Sequence, residues 1–180
     1  NCDLSIISAD DCIGVSTGNA DIQNSNIDII YTADDGIDVE DGDICIEDNS
    51  TINICSGDHG IDHDITDTEE YTEIIFTLTD SKLYINAGDD GMDNDGAAII
   101  KDSDVNVIAM DIGFDIDNSV SLDNVSLDIN SGDSGMEVCD LFAKNSGVCV
   151  NGGFIAIEVL TDDDDETEHN AVFENCTIDL

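Results

Sequence analysis

The sequence predicts an all-β solenoid: a right-handed parallel β-helix of about seven coils of about 22 residues each. Three observations predict it. A phrase returns at a nearly fixed interval, apolar residues alternate with period 2 inside it, and acids and amides hold constant places along it.

The phrase reads apolar-x-apolar, a short polar stretch, then Asp-x-Gly-apolar-acid. Ile52-Asn53-Ile54 leads to Asp58-His59-Gly60-Ile61-Asp62, and Leu83-Tyr84-Ile85 to Asp89-Asp90-Gly91-Met92-Asp93. Val105-Asn106-Val107 leads to Asp111-Ile112-Gly113-Phe114-Asp115, and Leu127-Asp128-Ile129 to Asp133-Ser134-Gly135-Met136-Glu137. Ile27 to Asp38 repeats it with one extra residue, and weaker copies run from Leu4 to Gly14 and from Val148 to Glu158. The marker position falls at Cys12, Gly36, Gly60, Gly91, Gly113, Gly135 and Ala156, at intervals of 24, 24, 31, 22, 22 and 21. Helical repeats would show a period of 3.6 and need roughly 33 residues or more. The chain therefore reads as one domain over residues 1–180, with insertions near 64–75 and 160–171.

Alternation assigns the faces. Ile52, Ile54, Leu83, Ile85, Val105, Val107, Leu127 and Ile129 are expected inside, with Ile61, Met92, Phe114 and Met136 inside at the next turn. Cys45, Cys55 and Cys149 alternate with such residues and are expected outside. A second column, Asn24-Ser25, Asn49-Ser50, Asp80-Ser81, Asp102-Ser103, Asp123-Asn124, Asn145-Ser146 and Asn175-Cys176, marks a corner, with Asn side chains expected in an inward ladder. Asn49, Asn124 and Asn175 also lie in Asn-x-Ser/Thr sequons, which an inward ladder would close to modification. Seven cysteines leave at least one without a partner in the chain, and no pairing follows from their spacing.

Charge bounds the function. There are 44 acidic residues, 34 of them Asp, against Lys82, Lys101 and Lys144, for a formal net charge of -41. Nucleic acid is excluded as a partner, since phosphate affinity depends on cationic side chains. The same argument excludes anionic membrane surfaces, and no apolar run is long enough for membrane insertion. Such self-repulsion opposes folding unless multivalent cations or a very salty medium offset it. The excess of Asp over Glu favours short carboxylates in tight metal-binding turns.

Stacking the phrases gives two acid columns. Asp34, Asp58, Asp89, Asp111 and Asp133, begun by Asp10, form one; Asp38, Asp62, Asp93, Asp115 and Glu137, continued by Glu158, form the other. Rungs about 4.8 Å apart set bare carboxylates against each other at roughly 0.9 kcal/mol per pair in water, and more where partly buried. Calcium takes six to eight oxygens, which carboxylates of adjacent rungs and main-chain carbonyls near the small Gly would supply. Those ten acids from Asp34 to Glu137 are the candidate Ca2+ ligands. A solvated acidic face is the plainer alternative.

The phrases resemble the right-handed parallel β-helix superfamily of pectin and pectate lyases. They are closest to acidic, calcium-loaded, carbohydrate-binding β-helix modules of secreted microbial proteins, in which phrases such as Asp34-Asp35-Gly36-Ile37-Asp38 recur. The resemblance implies an extracellular or cell-surface setting and a polysaccharide partner. Lyase chemistry of that family needs an Arg or Lys base, and there is no Arg; hydrolase motifs have only faint echoes in Gly57-Asp58-His59-Gly60 and Asp34-Asp35-Gly36. An enzyme is therefore not expected. His59 and His63 have the spacing of a metal pair on a helix, but in a strand and turn they read as surface residues. Asp162-Asp163-Asp164-Asp165-Glu166 reads as a solvated loop.

There is no initiator Met or signal peptide, and Asn1 reads as a processed or excised start. Asn1-Cys2-Asp3-Leu4-Ser5-Ile6 and Asn175-Cys176-Thr177-Ile178-Asp179-Leu180 repeat one corner-plus-strand phrase. Open terminal rungs of this kind predict either a piece of a longer β-helix or a homo-oligomer or polymer built by end-to-end stacking. The functional expectation is a non-catalytic, calcium-stabilised structural protein, with calcium-dependent polysaccharide binding as the alternative.

Overall fold

A computed structural model of the chain describes residues 2–67, 73–160 and 169–180. Asp162 to Glu166 lie outside the described residues. The described residues form strands and turns and no helix.

The chain winds through seven coils. The first carries Asp3–Ile7 (β1), Ile13–Val15 (β2) and Ala20–Gln23 (β3), and the second Asn26–Tyr31 (β4), Ile37–Glu40 (β5) and Ile44–Glu47 (β6). The third carries Thr51–Cys55 (β7), Ile61–Asp64 (β8) and Ile75–Thr79 (β9), and the fourth Lys82–Asn86 (β10), Met92–Asn94 (β11) and Ala97–Lys101 (β12). Asp104–Ala109 (β13) and Phe114–Asp123 (β14) make the fifth, and Ser126–Ser131 (β15) and Ser134–Lys144 (β16) the sixth. Gly147–Asn151 (β17), Ile155–Val159 (β18) and Ala171–Glu174 (β19) make the seventh, and Thr177–Asp179 (β20) follows. One sheet runs β1-β4-β7-β10-β13-β15-β17-β20, and every strand pairing is parallel. The second and third faces join in one sheet because β14 and β16 continue around the bend between them.

The register follows the repeat. Ile52, Leu83, Val105 and Leu127 stack in one file, and Ile61, Met92, Phe114 and Met136 in another. All eight are buried, as are Ile54, Ile85, Val107 and Ile129. A one-residue slip would turn each of these files out to water, so burial of one side fixes the register. Cys45, Cys55 and Cys149 lie on the outer side.

The marker glycines sit where coils come closest. A Cβ on Gly91 would run into the carbonyl oxygen of Gly113 and a methyl of Val107. Their carbonyls are already engaged: Gly60 O accepts the Ile37 N–H and Gly91 O the Ile61 N–H. The small residue thus serves close packing and the ladder.

The corner column is present but differs in its ladder. Asn24, Asn49, Asp80, Asp102, Asn124, Asn145 and Asn175 all adopt positive φ, between 45° and 61°. Asn and Asp tolerate this left-handed region because their short polar side chains bond locally. Their side chains leave the coil, so Asn49, Asn124 and Asn175 are exposed. The inward ladder is made by the following serines. Ser25 N–H donates to Ser50 Oγ, Ser50 N–H to Ser81 Oγ and Ser81 N–H to Ser103 Oγ, each at 3.2 Å. Ser81 and Ser103 hydroxyls donate in turn to Thr79 O and Lys101 O within their own coils.

Two further aspartates hold the insertion after β8. Asp41 Oδ1 accepts the Thr66 and Asp67 N–H groups at 2.8 and 2.9 Å, and Asp43 Oδ1 accepts the Ile75 N–H at 3.0 Å. Hydrogen bonds from Asp67 and Thr66 hold the Asp41 carboxyl below its ordinary range.

Close packing at the markers yields a contrast. Gly91→Ala is expected to destabilise by about 1–3 kcal/mol, through overpacking against backbone. For a chain of this size that lowers Tm by roughly 2–12 °C. Gly147→Ala, where nothing lies within 4 Å of the added methyl, is expected to leave Tm unchanged. Thermal melts of the two variants check this.

Candidate metal centre

The turn entering the second face, with the first half of that face, carries four files of acids. Backbone bonds Gly36 N to His59 O, Gly60 N to Asp90 O and Gly91 N to Ile112 O set the turns directly over one another. The file Asp10, Asp34, Asp58, Asp89, Asp111 and Asp133 runs along the turn. The file Asp38, Asp62, Asp93, Asp115 and Glu137 runs along the outer side of β5, β8, β11, β14 and β16 by direct pairing. Both expected columns are present.

Two more were missed. Asp11, Asp35, His59 and Asp90 form a file between the other two, and Glu40 and Asp64 begin a fourth, two residues beyond Asp38 and Asp62. Asp95 and Asp117 continue it. Parity would have found this fourth file, because residues two apart on a strand share a face.

The files differ in what their oxygens do. Asp11 Oδ1 accepts the Asp35 N–H at 3.3 Å, Asp35 Oδ1 the His59 N–H at 2.9 Å and Asp90 Oδ1 the Ile112 N–H at 2.7 Å. Asp95 Oδ2 accepts the Ile65 N–H at 2.8 Å. These four are tied to backbone. By contrast, the ten candidate ligands from Asp34 to Glu137 have no side-chain hydrogen bond or ion pair among the described residues. On the turn, Asp35 and Asp90 each follow an untied neighbour, Asp34 and Asp89, so fixed and unassigned carboxylates alternate there.

Electrostatics registers the crowding. Burial, with Asp64 and Asp35 nearby, pushes Asp62 up to about 7. Burial, with Asp93 and Glu137 in file, does the same to Asp115, at about 7. Asp38 and Asp93 rise to about 6, again chiefly through burial. On the turn, Asp34 is raised first by Asp35, and Asp89 first by burial.

Several of these groups converge closely enough to share an ion. Asp10, Asp11 and Asp34 bring oxygens within 4.8 Å of one another, and so do Asp34, Asp35 and Asp58. Groups that mix oxygen and nitrogen centre on His59: with Asp35 and Asp62, with Asp58 and Asp89, and with Asp90 and Asp93. His59 is flanked by Asp35 and Asp90, whose carboxylates raise it to about 11. It is an imidazolium at neutral pH, a cation that the chain itself provides.

His63 does not join it. Its parity follows Ile61, so its ring turns into the core, 0% exposed, with Nε2 2.6 Å from Gly42 O. Burial depresses its pKa. That corrects the reading of His63 as a surface residue, and the alternation Ile61-Asp62-His63 already carried the signal. The three lysines stand apart, at the corner, on Asp104, Asp102 and Asp123.

The sign of the pH dependence follows. Asp38, Asp62, Asp93 and Asp115 bind protons more tightly folded than unfolded, where 3.8 is the ordinary value. Folded chains therefore carry more protons, and stability rises as pH falls from about 7 towards 4. His59 acts the same way higher up: its contribution is complete below 6.5 and is lost as pH climbs to about 11. His63 opposes them below its ordinary value of 6.5, one group against four. In chelator, Tm is expected to increase on acidification from pH 7.5 to 5, and Asp115→Asn is expected to raise Tm at pH 7.5. Melting curves across that range check both.

Comparison of the chain with protein families, with curated proteins and with solved structures finds no match.

Proposed function

We propose that the chain is a non-catalytic structural β-helix that takes up calcium along its acidic face, the ions joining one coil to the next. The observation that carries this reading is the split among the acids. Backbone N–H groups occupy Asp11, Asp35, Asp90 and Asp95, whereas Asp34, Asp38, Asp58, Asp62, Asp89, Asp93, Asp111, Asp115, Asp133 and Glu137 stack rung over rung with no partner among the described residues. A hard cation with flexible, oxygen-only coordination suits such an array. A chain that relies on calcium to offset its charge fits an extracellular or cell-surface setting.

The likeness to pectin and pectate lyases extends, in this reading, to the winding and not to the chemistry. There is no Arg, and the three lysines pair at the corner instead of entering the acidic face. Ions that bridge coils within one copy serve equally between coils of two copies, so end-to-end association belongs to the same proposal.

Calcium-dependent polysaccharide binding is the second reading, favoured by one feature. An open polar groove of about 480 Å³ runs along the corner, lined by residues that include Asn49, Lys82, Asp102 and Asn124. Its hydroxyls, amides and charges suit a hydrated chain of sugars. Retardation of the protein in gels containing polygalacturonate, with and without calcium, tests that reading separately.

Calorimetry is expected to show calcium uptake, and each site held at 100 times its Kd adds about 2.7 kcal/mol, or roughly 5–10 °C in Tm. Asp93→Asn combined with Asp115→Asn is expected to weaken uptake and shrink the gain. No heat of binding, with a melting curve indifferent to chelator, would leave the acidic face merely solvated. Light scattering that rises with calcium is expected for the stacked form; particles that stay monomeric at saturating calcium refute the stacking alone.

A further inference from the structure

All the acid files offer oxygen, but one turn offers nitrogen as well. His59 stands in the file of Asp11, Asp35 and Asp90, at the place where the other coils carry an acid or, further on, Ile112 and Ser134. Its two ring nitrogens have different surroundings. Nδ1 lies 3.3 Å from Asp35 Oδ1, the oxygen that also accepts the His59 N–H, so one carboxylate oxygen holds the residue by backbone and ring together. Nε2 lies 3.6 Å from Asp90 Oδ2, while Asp90 Oδ1 is pinned by the Ile112 N–H. Asp93 brings a carboxylate oxygen within 4.8 Å of the other two donors.

The second of those distances points to a ligand. At 3.6 Å, Nε2 and Oδ2 are too far apart for a good hydrogen bond. Two donors on a tetrahedral zinc-class ion, with bonds of about 2.0–2.2 Å, stand roughly 3.3–3.5 Å apart. The pair is spaced for an ion between them. On the other side of the ring, a carboxylate on Nδ1 is the arrangement that fixes the tautomer and aims Nε2 in histidine-ligated metal sites.

We propose that His59 Nε2, Asp90 and Asp93 form a site for a borderline divalent transition ion of the zinc class, with Asp35 as the positioning residue that holds the imidazole. On binding, the Nε2 proton leaves to solvent and the ion takes its place between the ring and Asp90, while Nδ1–H stays on Asp35. The two carboxylates balance the charge of the ion, and water completes the coordination from the open side. Calcium is a poor occupant, because it takes oxygen and leaves imidazole unbound, whereas zinc, nickel and cobalt accept imidazole readily. The donors come from the third and fourth coils and the orienting carboxylate from the second, so one ion clasps three coils. This inference uses the acidic face but does not rest on calcium binding there. His63 cannot substitute, its ring being inside the core, and His169 lies elsewhere, 3.4 Å from Asp140.

The probes are Zn2+ and Co2+, added to the full chain in excess calcium. Co2+ is expected to bind with visible absorption bands characteristic of nitrogen and oxygen coordination, and Zn2+ to displace it. His59→Asp restores the acid of its file, and is expected to lose Zn2+ and Co2+ affinity by more than tenfold while calcium uptake persists. Asp35→Asn is expected to weaken Co2+ by 10–100-fold and to shift its bands, with Asp35→Glu recovering most of the loss. His169→Gln is expected to change neither. Nuclear magnetic resonance of the unmutated protein removes any dependence on variant folding: Zn2+ is expected to move the imidazole resonances of His59 and to leave those of His63 and His169 in place. Unmoved His59 resonances, Zn2+ affinity equal in His59→Asp, or complete displacement of Zn2+ by calcium would each overturn the site. If calcium fails to bind at all and Zn2+ still binds through His59, the calcium proposal falls and this one stands.

Discussion

A parallel ladder in register sets each residue over its counterpart at a spacing of about 4.8 Å, and in this chain the counterparts are alike. Inside the coil the rule is favourable, because Ile52, Leu83, Val105 and Leu127 pack methyl on methyl in a file closed to water. Outside, the same rule stacks Asp62 on Asp93 and Asp93 on Asp115. The geometry that builds the core therefore also builds the repulsion, and neither can be relaxed without shifting the other. Nearly every unusual feature of the molecule is a response to that coupling.

The responses are of three kinds. Some aspartates become structural, accepting backbone N–H groups as Asp35, Asp41 and Asp90 do. Some rise in pKa, as burial and neighbours favour the protonated form at Asp62 and Asp115. In one place a cation is built in, at His59. The outward carboxylates of the two expected columns, shifted or not, keep no hydrogen-bond or ion-pair partner among the described residues, and it is on these that the calcium proposal rests.

Much of this was legible in the sequence because the period is explicit. The markers from Cys12 to Ala156 gave the coil count, and apolar parity gave the inward files, since a slip of one residue would expose all of them. Both expected acid columns follow from the same counting. Legibility ended at the turns. Asp34 and Asp35 are adjacent and identical, yet Asp35 alone accepts a backbone N–H from the next coil, a difference set by side-chain direction in the turn. The corner misled for a similar reason. Asn and Ser occur there as a pair, and only the left-handed backbone at Asn49 shows that the amide leaves the coil while Ser50 enters it. His63 is a different case, for it shares the parity of Ile61 and its burial follows from the alternation of the strand and not from its spacing to His59.

The corner serines also tie each coil to its neighbours. From Ser25 to Ser103 each amide donates upward to the hydroxyl of the next coil, and Val125 donates likewise to Ser146. Peeling away a higher coil strips the acceptor from a buried N–H below it, which costs free energy until water reaches the group. Peeling away a lower coil strips acceptors too, for the Thr51, Lys82 and Asp104 N–H groups donate downward to Ser25 O, Ser50 O and Ser81 O. Each corner is thus tied in both directions, by hydroxyls that accept from below and carbonyls that accept from above. Val125 offers no hydroxyl to the Ser103 amide, so the hydroxyl file alone has a gap between the fourth and fifth coils.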